Sequence, residues 1–382
     1  MVSLATLVCA EDLQVRHARS MRASGGPVMA LVNGTLIDGT GRDPVANAIV
    51  LIRDGRIVAA GAPDAVPIPP DAERVDVGGG YILPGFINTH VHNAFRQDYL
   101  KRWASEGVTT VRDVGAAEPY PIAFRLRNGY RADPSCAWLV AAGPLVTVPG
   151  GYPIIPNQFP AMTVLSADDA RMKIRPLLDA GADLIKITLE PGYGWPTLTL
   201  EEVGAIVEEA HLHGVPVTVH ATRSTMYRRS MDGGVDEMCH SSQDRLSDDM
   251  IAEMVQAGVC MVPTLTAQKK AGESMSNLQR FLAAGGKVAL GNDGGYLAGL
   301  EVGMPITELE AMREAGMSPM QIILAATRTA AEICRSDRTL GTLERAKQAD
   351  ILVVAQNPLE DLRAVLEVTL VMHSGVVIRR AE

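Results

Sequence analysis

The sequence predicts an α/β protein in which a (β/α)8 TIM barrel carries a small β-sandwich domain built from both chain ends. Three observations predict this fold. Short apolar segments alternate with amphipathic helices in the middle of the chain, β-prone segments occupy both ends, and polar residues follow the apolar segments. The 382 residues exceed the roughly 250 of a typical barrel, which leaves room for a companion domain.

The small domain is predicted over residues 29–83 and 340–382, which are both β-prone and punctuated by turns. Asp54-Gly55 and Ser374-Gly375 are typical hairpin turns. Pairing of the two segments would form one sheet domain and bring the chain ends together. Near the start, strands are expected at Ala30–Ile37, Ala48–Arg53 and Arg56–Ala60.

Residues 1–28 are interpreted as a leader outside both domains, and disorder is one option for them. Val2–Ala10 is apolar but short and lacks a basic segment before it, so a signal peptide is the less favoured reading. The five cysteines form no CxxC pair and are odd in number, which indicates reduced thiols in a cytoplasmic protein. Strand alternation predicts that Cys239 faces away from its neighbour His240.

The barrel is predicted over residues 84–339, where eight short strands alternate with helices. The clearest helices span residues 167–180 and 200–213. No GxGxxG segment opens a helix, which disfavours a nucleotide-binding sheet. The strands are expected at Gly85–His92, Val108–Asp113, Ala137–Ala141, Leu184–Leu189, Val215–His220, Val235–His240, Cys260–Pro263 and Val288–Asn292.

Net charge and hydropathy limit the kinds of molecule that this protein is expected to bind. The net charge is −9 and no cluster of Lys or Arg appears, so a nucleic-acid partner is not expected. The chain has no run of 18 apolar residues, so no membrane partner is expected either. A small-molecule substrate is the remaining expectation, and a homo-oligomer is compatible with the sequence.

Histidines stand at the carboxyl ends of three predicted strands, the face on which barrel enzymes keep their active sites. His90 and His92 end the first strand, and alternation puts both imidazoles on one face. His220 and His240 each follow an apolar strand. Each alone would more often be an ordinary core or loop histidine, but together with the HxH pair they indicate a metal site.

Lys186 and Asp293 complete the candidate ligand set. Lys186 lies in an apolar strand, where burying an ammonium group is costly. It would pair with Glu190, extend to the strand end, or react with CO₂ to form a carboxylate-like carbamate that bridges two metals. Asp293 would bind metal and exchange a proton with water, or cap the following Gly-Gly loop. This donor mixture suits two divalent ions, with zinc preferred and Mn²⁺, Co²⁺ or Fe²⁺ as substitutes.

These motifs resemble the amidohydrolase superfamily, and most closely its imidazolonepropionase-like and metal-dependent prolidase (Xaa-Pro dipeptidase) branch. The resemblance covers about residues 29–382 and is specific for the fold more than for the substrate. The motifs that carry it are 85–92, 109–115, 182–187, 217–220, His240, 291–293, 325–331, 340–343 and 347–353.

The resemblance implies a binuclear mechanism. His90, His92 and Asp293 would hold one ion, His220 and His240 the other, and a carboxylated Lys186 would bridge them. A metal-bridged hydroxide would attack the carbonyl carbon of an amide, with Asp293 as general base and then general acid.

The substrate class is left open among several alternatives. A dipeptide or an N-acyl amino acid is expected first. A cyclic amide, a lactone, a phosphoester or a deamination remains an alternative on the same fold. The alternative of another class is a non-catalytic barrel scaffold, although a scaffold has no reason to keep six converging ligands.

Three further residues are candidates for substrate binding. Arg223 and Tyr227 follow His220 and would bind a substrate carboxylate, since a guanidinium group can hold one with two hydrogen bonds. Arg228 and Arg229, a few residues further on, would as easily form a solvated helix face. Tyr152 is the third candidate, and it stands where the family often carries His, so family-typical substrate contacts need not apply here.

Overall fold

A computed structural model describes residues 26–296 and 299–381, and its strands fall into a mixed sheet and two parallel sheets. Residues 1–25 of the predicted leader (1–28) lie outside the described residues. The strands are β1 (Met29–Leu36), β2 (Val45–Arg53), β3 (Arg56–Gly61), β4 (Glu73–Asp76), β5 (Tyr81–Pro84), β6 (Phe86–Val91), β7 (Val108–Asp113), β8 (Trp138–Ala141), β9 (Val146–Thr147), β10 (Met162–Thr163), β11 (Ile185–Thr188), β12 (Val217–His220), β13 (Glu237–Cys239), β14 (Cys260–Val262), β15 (Lys287–Val288), β16 (Ile351–Val354), β17 (Val368–His373) and β18 (Val376–Arg380).

The helices alternate with the parallel strands. They are α1 (Gln97–Ser105), α2 (Tyr120–Tyr130), α3 (Ile154–Asn157), α4 (Ala167–Asp179), α5 (Leu200–Leu212), α6 (Ser224–Asp232), α7 (Asp248–Ala257), α8 (Ser274–Ala283), α9 (Ile306–Glu314), α10 (Pro319–Ala325) and α11 (Arg328–Ile333), followed by a 3₁₀ turn at Leu362–Leu366. None of the described helices is both long enough and apolar enough to span a lipid bilayer.

One mixed sheet joins the two ends of the chain. Its strand order is β18-β17-β16-β5-β1-β2-β3, with β4 paired to β1. The antiparallel pairing of β5 with β16 makes the connection, for example at Ile82 and Val353. The predicted hairpin turns are present, since Asp54 and Ser374 both have positive φ (51° and 52°) and precede glycines that also have positive φ. The expected pairing of the two chain ends is therefore observed, whereas β4 and β5 were not predicted.

The middle of the chain contains the eight parallel strands that the sequence predicts, now β6, β7, β8, β11, β12, β13, β14 and β15. They form a three-stranded and a seven-stranded sheet, the second of which also includes the unpredicted β9 and β10. Backbone bonds connect the two sheets on both sides. The Asp183 amide donates to the Ala141 carbonyl (3.0 Å), and the Thr89 amide donates to the Leu290 carbonyl (2.8 Å).

The last predicted strand differs most from the observed strand in its bounds. The sequence predicts Val288–Asn292, but the ladder pairing with β14 covers only Lys287–Val288. The following residues turn toward β6, where the Asp293 amide donates to the carbonyl of His90 (2.9 Å). The carboxyl end of this segment is therefore held beside the first parallel strand.

The two helices predicted most clearly have well-formed amino-terminal caps. The Ser166 side chain accepts from the Asp169 amide at the start of α4, and Thr199 forms a capping box with Glu202 at the start of α5. At the other end of α5, His211 lies in the last turn and contacts Asp236 (2.9 Å). His211 and His213 therefore belong to the end of this helix.

A buried ion pair connects β7 with β13, strands that are not neighbours in either sheet. Both terminal nitrogens of Arg112 donate to the Glu237 carboxylate (3.0 and 2.6 Å), and Arg112 Nε donates to the Thr89 carbonyl. The two side chains are 0% and 3% exposed. Burial disfavours the guanidinium charge, but the charge of Glu237 raises the pKa of Arg112 above its ordinary value.

We expect Glu237→Gln to lower the free energy of unfolding by about 3–5 kcal/mol, because it leaves the buried Arg112 charge without a counter-charge. Urea unfolding followed by circular dichroism measures the loss. The double variant Arg112→Met/Glu237→Leu removes both charges and should be more stable than Glu237→Gln alone. A double variant as unstable as the single one would show that packing, and not charge compensation, accounts for the effect.

Candidate metal centre

A pocket opens at the carboxyl ends of the parallel strands and encloses about 430 Å³ of empty space. All six predicted ligands line it, together with residues from the loops above the strands. The lining residues are His90, His92, Leu145, Tyr152, Pro153, Phe159, Lys186, His220, His240, Asp293 and Tyr296. Convergence of these side chains from distant parts of the chain makes this pocket the candidate functional site.

His90, His92 and Asp293 form one compact group of possible ligands. Asp293 Oδ1 lies 3.2 Å from His90 Nε2 and 3.1 Å from His92 Nε2. One ligand atom from each of the three residues lies within 4.8 Å of the others. Gly291 permits this approach, because a Cβ at that position would lie 2.6 Å from the Cβ of His90. The arrangement suits a single divalent ion with two imidazoles and a carboxylate.

His220 and His240 form a second group beside the first. Their ring centroids lie 4.3 Å apart, and the centroid of His240 lies 5.0 Å from that of His90. Each ring has a polar partner on its outer side: His240 Nδ1 lies 2.6 Å from Thr264 Oγ1, and His220 Nε2 lies 3.5 Å from a carboxylate oxygen of Glu190. Partners of this kind fix the orientation of a histidine and leave its other nitrogen for a metal.

Lys186 projects from β11 and is buried between the two groups. Its side chain is 1% exposed, and Nζ has no hydrogen-bond partner among the described residues. The expected alternative, an ion pair with Glu190, is not observed, since Glu190 contacts His220, Thr222 and the Gly192 amide. An amine without a partner at this depth is costly, and a carbamate that binds metal would remove the cost.

Burial and ion pairing shift the pKa values of the pocket residues in different directions. Burial lowers the pKa of both His220 and His240, which favours neutral imidazoles. Burial opposes ionisation of Asp293, but His90 and His92 hold its pKa well below the ordinary value. Burial also opposes a charge on His92, whose pKa is nevertheless raised by Asp293. Neutral imidazoles and an ionised carboxylate are the forms that bind a divalent ion, and the shifts at His220, His240 and Asp293 favour these forms.

The three predicted substrate contacts have different locations. Tyr152 lines the pocket and stacks on His220, with centroids 4.6 Å apart and an interplanar angle of 29°. Arg223 is exposed, precedes α6 and is not among the lining residues. Tyr227 is fully buried, and its hydroxyl donates to the carbonyl of His240. Arg223 and Tyr227 are therefore not among the residues that line the pocket.

The expectation for Cys239 is wrong. Its Sγ lies 2.9 Å from Thr218 Oγ1, and its register partner on β12 is His220, so its side chain faces the same side of the sheet as the ligands. His240 has a φ of 71°, which breaks the alternation after β13 and turns the imidazole toward the same side. Burial opposes ionisation of Cys239, but Lys186 and His90 hold its pKa well below the ordinary value.

Several residues of the site were not predicted, and they differ in how far the sequence signals them. Thr264 and Glu190 follow β14 and β11 closely, so the strand-end rule that identified the histidines would also have selected them. Phe159 and Tyr296 come from long loops, where no periodic pattern marks a pocket residue.

A buried carboxyl group holds the loop that carries Thr264. Glu308, on α9, accepts from the amides of Leu265 (2.8 Å) and Thr266 (2.9 Å). Burial raises the pKa of Glu308 to about 7, although these hydrogen bonds oppose the shift. The position of Thr264, and through it the orientation of the His240 ring, depends on this anchor.

Comparison with known proteins identifies relatives over most of the chain. The sequence profile of the amidohydrolase family matches residues 81–378. The chain is 26% identical over 355 residues to an imidazolonepropionase from Symbiobacterium thermophilum, which covers 79% of this chain and 82% of the relative.

Two solved structures have the same fold. A putative prolidase from Bifidobacterium longum superposes with a TM-score of 0.80 at 27% identity and covers 93% of this chain and 95% of its own. A Xaa-Pro dipeptidase with bound methionine in its active site superposes with a TM-score of 0.80 at 24% identity, covering 92% and 99% of the two chains.

We expect Thr264→Val to weaken binding of a divalent ion at His220 and His240 by about 10- to 100-fold, because His240 loses the partner that orients it. Competition against a chromophoric chelator measures the affinity. Thr110→Val is the matched control, since the Thr110 hydroxyl is buried without a partner among the described residues. Equal affinities in both variants would contradict a role for Thr264.

Glu308 should make stability depend on pH. Its folded pKa of about 7 exceeds the ordinary 4.5, so the folded state keeps a proton that the unfolded state releases between these values. The stability from this proton is complete below pH 4.5 and is lost as the pH rises through 7. The stability difference between the native protein and Glu308→Gln should therefore fall by about 3 kcal/mol from pH 4.5 to 8 in urea titrations. A difference that is constant with pH would contradict the assignment.

Proposed function

Because the chain belongs to the amidohydrolase family, we propose that it hydrolyses an amide C–N bond with the help of two divalent metal ions, zinc being the first choice. Enzymes named in the family comparisons act on C–N bonds, and this chain is an enzyme of that class. The single observation that carries the proposal is the meeting of His90, His92 and Asp293 within ligand distance, beside His220 and His240.

Each proposed ligand has a defined part. His90, His92 and Asp293 would hold one ion, and His220 and His240 the other. Lys186 would bridge them as a carbamate, a proposal supported by its burial and by the absence of a partner for Nζ among the described residues. When bound, the ions would polarise the amide carbonyl and supply water of lowered pKa.

Asp293 is the proposed proton carrier. Its pKa, well below the ordinary value, keeps the carboxylate ionised and able to accept a proton from water at one oxygen. The same carboxyl would then give the proton to the nitrogen that leaves, which is needed because an amide anion is a poor leaving group. Its side chain is 14% exposed, so it can reach a substrate in the pocket while the histidines hold it in place.

We also propose the remaining features expected from the sequence. The parallel strands would close into a (β/α)8 barrel over residues 84–339, supported by the bonds that connect Thr89 with Leu290 and Asp183 with Ala141. Residues 29–83 and 340–382 would form the β-sandwich domain. A cytoplasmic location and a homo-oligomer stay predictions.

The metal-binding residues alone do not select among the substrate classes that the sequence left open. The expected dipeptide or N-acyl amino acid carries a carboxylate, and Arg223, the residue proposed to bind it, is exposed outside the pocket. A cyclic amide, lactone, phosphoester or deamination substrate fits the same donor set. Absence of bound metal in purified protein would favour the non-catalytic scaffold instead.

We expect Asp293→Asn to lower kcat on amide substrates by about 10²- to 10⁴-fold, because the amide side chain cannot carry the proton. Lys186→Ala should lose activity and bind fewer metal ions, and a chelator should abolish activity until zinc is restored. Steady-state kinetics measures the activities, and elemental analysis measures the number of bound metal ions. Asp337→Asn, on the segment after α11, is the control and should leave activity unchanged. Full activity in metal-free protein would refute the proposal.

A further inference from the structure

The aromatic and charged side chains around the pocket indicate which substrates it can accept. We propose that the pocket selects uncharged amides that bear an aromatic ring over amides that bear a carboxylate. This inference rests on the proposed hydrolysis at the metal centre and names the substrate class for it. Its support comes from two pairs of aromatic residues and from the charges of the lining side chains.

The first wall is Tyr152, which lines the pocket next to His220 and packs against Trp195, a residue that is not among the lining residues. Tyr152 stacks on the imidazole, and Trp195 lies nearly parallel to Tyr152 with centroids 6.1 Å apart and an angle of 23°. Thr188 Oγ1 donates to the Tyr152 carbonyl (2.6 Å), which fixes the segment that carries the ring. The first wall is therefore an ordered aromatic surface at the edge of the second ligand group.

The second wall, Phe159 and Tyr296, stands on the side of His92. The two rings are perpendicular with centroids 5.6 Å apart, and Tyr296 lies edge-on to His92 at 6.4 Å. Tyr296 is 45% exposed and lines the pocket, so its ring is accessible to a ligand that enters. A planar ring that enters toward the ligands would contact these side chains, each contact of this kind stabilising by about 0.5–1.5 kcal/mol.

The charges of the pocket disfavour a carboxylate beside the scissile bond. Among the described lining residues, Lys186 alone has an ammonium or guanidinium group, and it lies at the base with the ligands. Two carboxyl side chains stand at the same centre: Glu190 lies 3.5 Å from His220, and Asp293 lies 3.2 Å from His90. A substrate carboxylate would lose water near like charges and find no cation outside the metal centre. A carboxylate held by the metal ions themselves would occupy the place of the reacting carbonyl.

Acetanilide and N-acetylglycine form a matched pair for the first test. Both are acetamides, and they differ only in whether the nitrogen carries a phenyl ring or a carboxymethyl group. Because aniline is also the better leaving group, each kcat/KM is divided by the rate constant for hydrolysis of the same amide by hydroxide; we expect the resulting value for the zinc-loaded enzyme to be at least about tenfold higher for acetanilide. Tyr296→Arg places a cation in the second wall and should shift the ratio toward N-acetylglycine.

Phenylacetone tests the walls without hydrolysis, because a methylene group replaces the amide nitrogen of acetanilide. Calorimetry on the zinc-loaded enzyme should show binding that Phe159→Ala and Tyr296→Ala each weaken by about three- to tenfold. Leu212→Ala is the control: Leu212 is 75% exposed at the end of α5, is not among the lining residues, and should leave binding unchanged.

The two sets of results separate the inference from the proposed function. Preference for N-acetylglycine, or phenylacetone binding that is undetectable or unaffected by both wall variants, would overturn the inference even if amides are hydrolysed. If neither amide is cleaved but phenylacetone binds and depends on Phe159 and Tyr296, the proposed hydrolysis fails and the aromatic selectivity of the pocket stands.

Discussion

The candidate site depends on backbone hydrogen bonds that hold the last parallel strand segment beside the first. The Asp293 amide donates to the His90 carbonyl, and the preceding hydrogen bond between the same two segments runs from the Thr89 amide to the Leu290 carbonyl. These bonds bring the carboxylate of Asp293 to both imidazoles of the HxH pair, across about 200 residues of sequence. Without them the ligands would remain on separate elements, since no local segment contains more than two of the six.

Burial of polar groups is the cost of this arrangement, and it is compensated in different ways at different depths. Arg112 and Glu237 neutralise each other between β7 and β13. Closer to the pocket, the histidines have polar partners such as Thr264 and Glu190. Lys186 Nζ has no hydrogen-bond partner among the described residues, and we propose that it forms a carbamate that binds metal ions.

Local patterns succeeded where one residue decides the geometry and failed where a distant element does. Alternation placed His90 and His92 on one face correctly, because β6 is extended there. The same rule was wrong for Cys239 and His240, because a positive φ at His240 turns its side chain. Arg223 and Tyr227 follow a ligand in sequence, yet the start of α6 directs one to solvent and the other beneath His240.

By itself the sequence determined the alternation of strands and helices, the pairing of both chain ends and the identity of six candidate ligands, because these depend on periodicity and on residues at strand ends. Only the tertiary structure decided which side chains surround the ligands. Thr264 orients His240, Glu308 holds the loop of Thr264, and Phe159 and Tyr296 come together from loops more than a hundred residues apart. These contacts depend on how the helices and loops cover the sheet, and long-range packing of that kind leaves no periodic trace in a single chain.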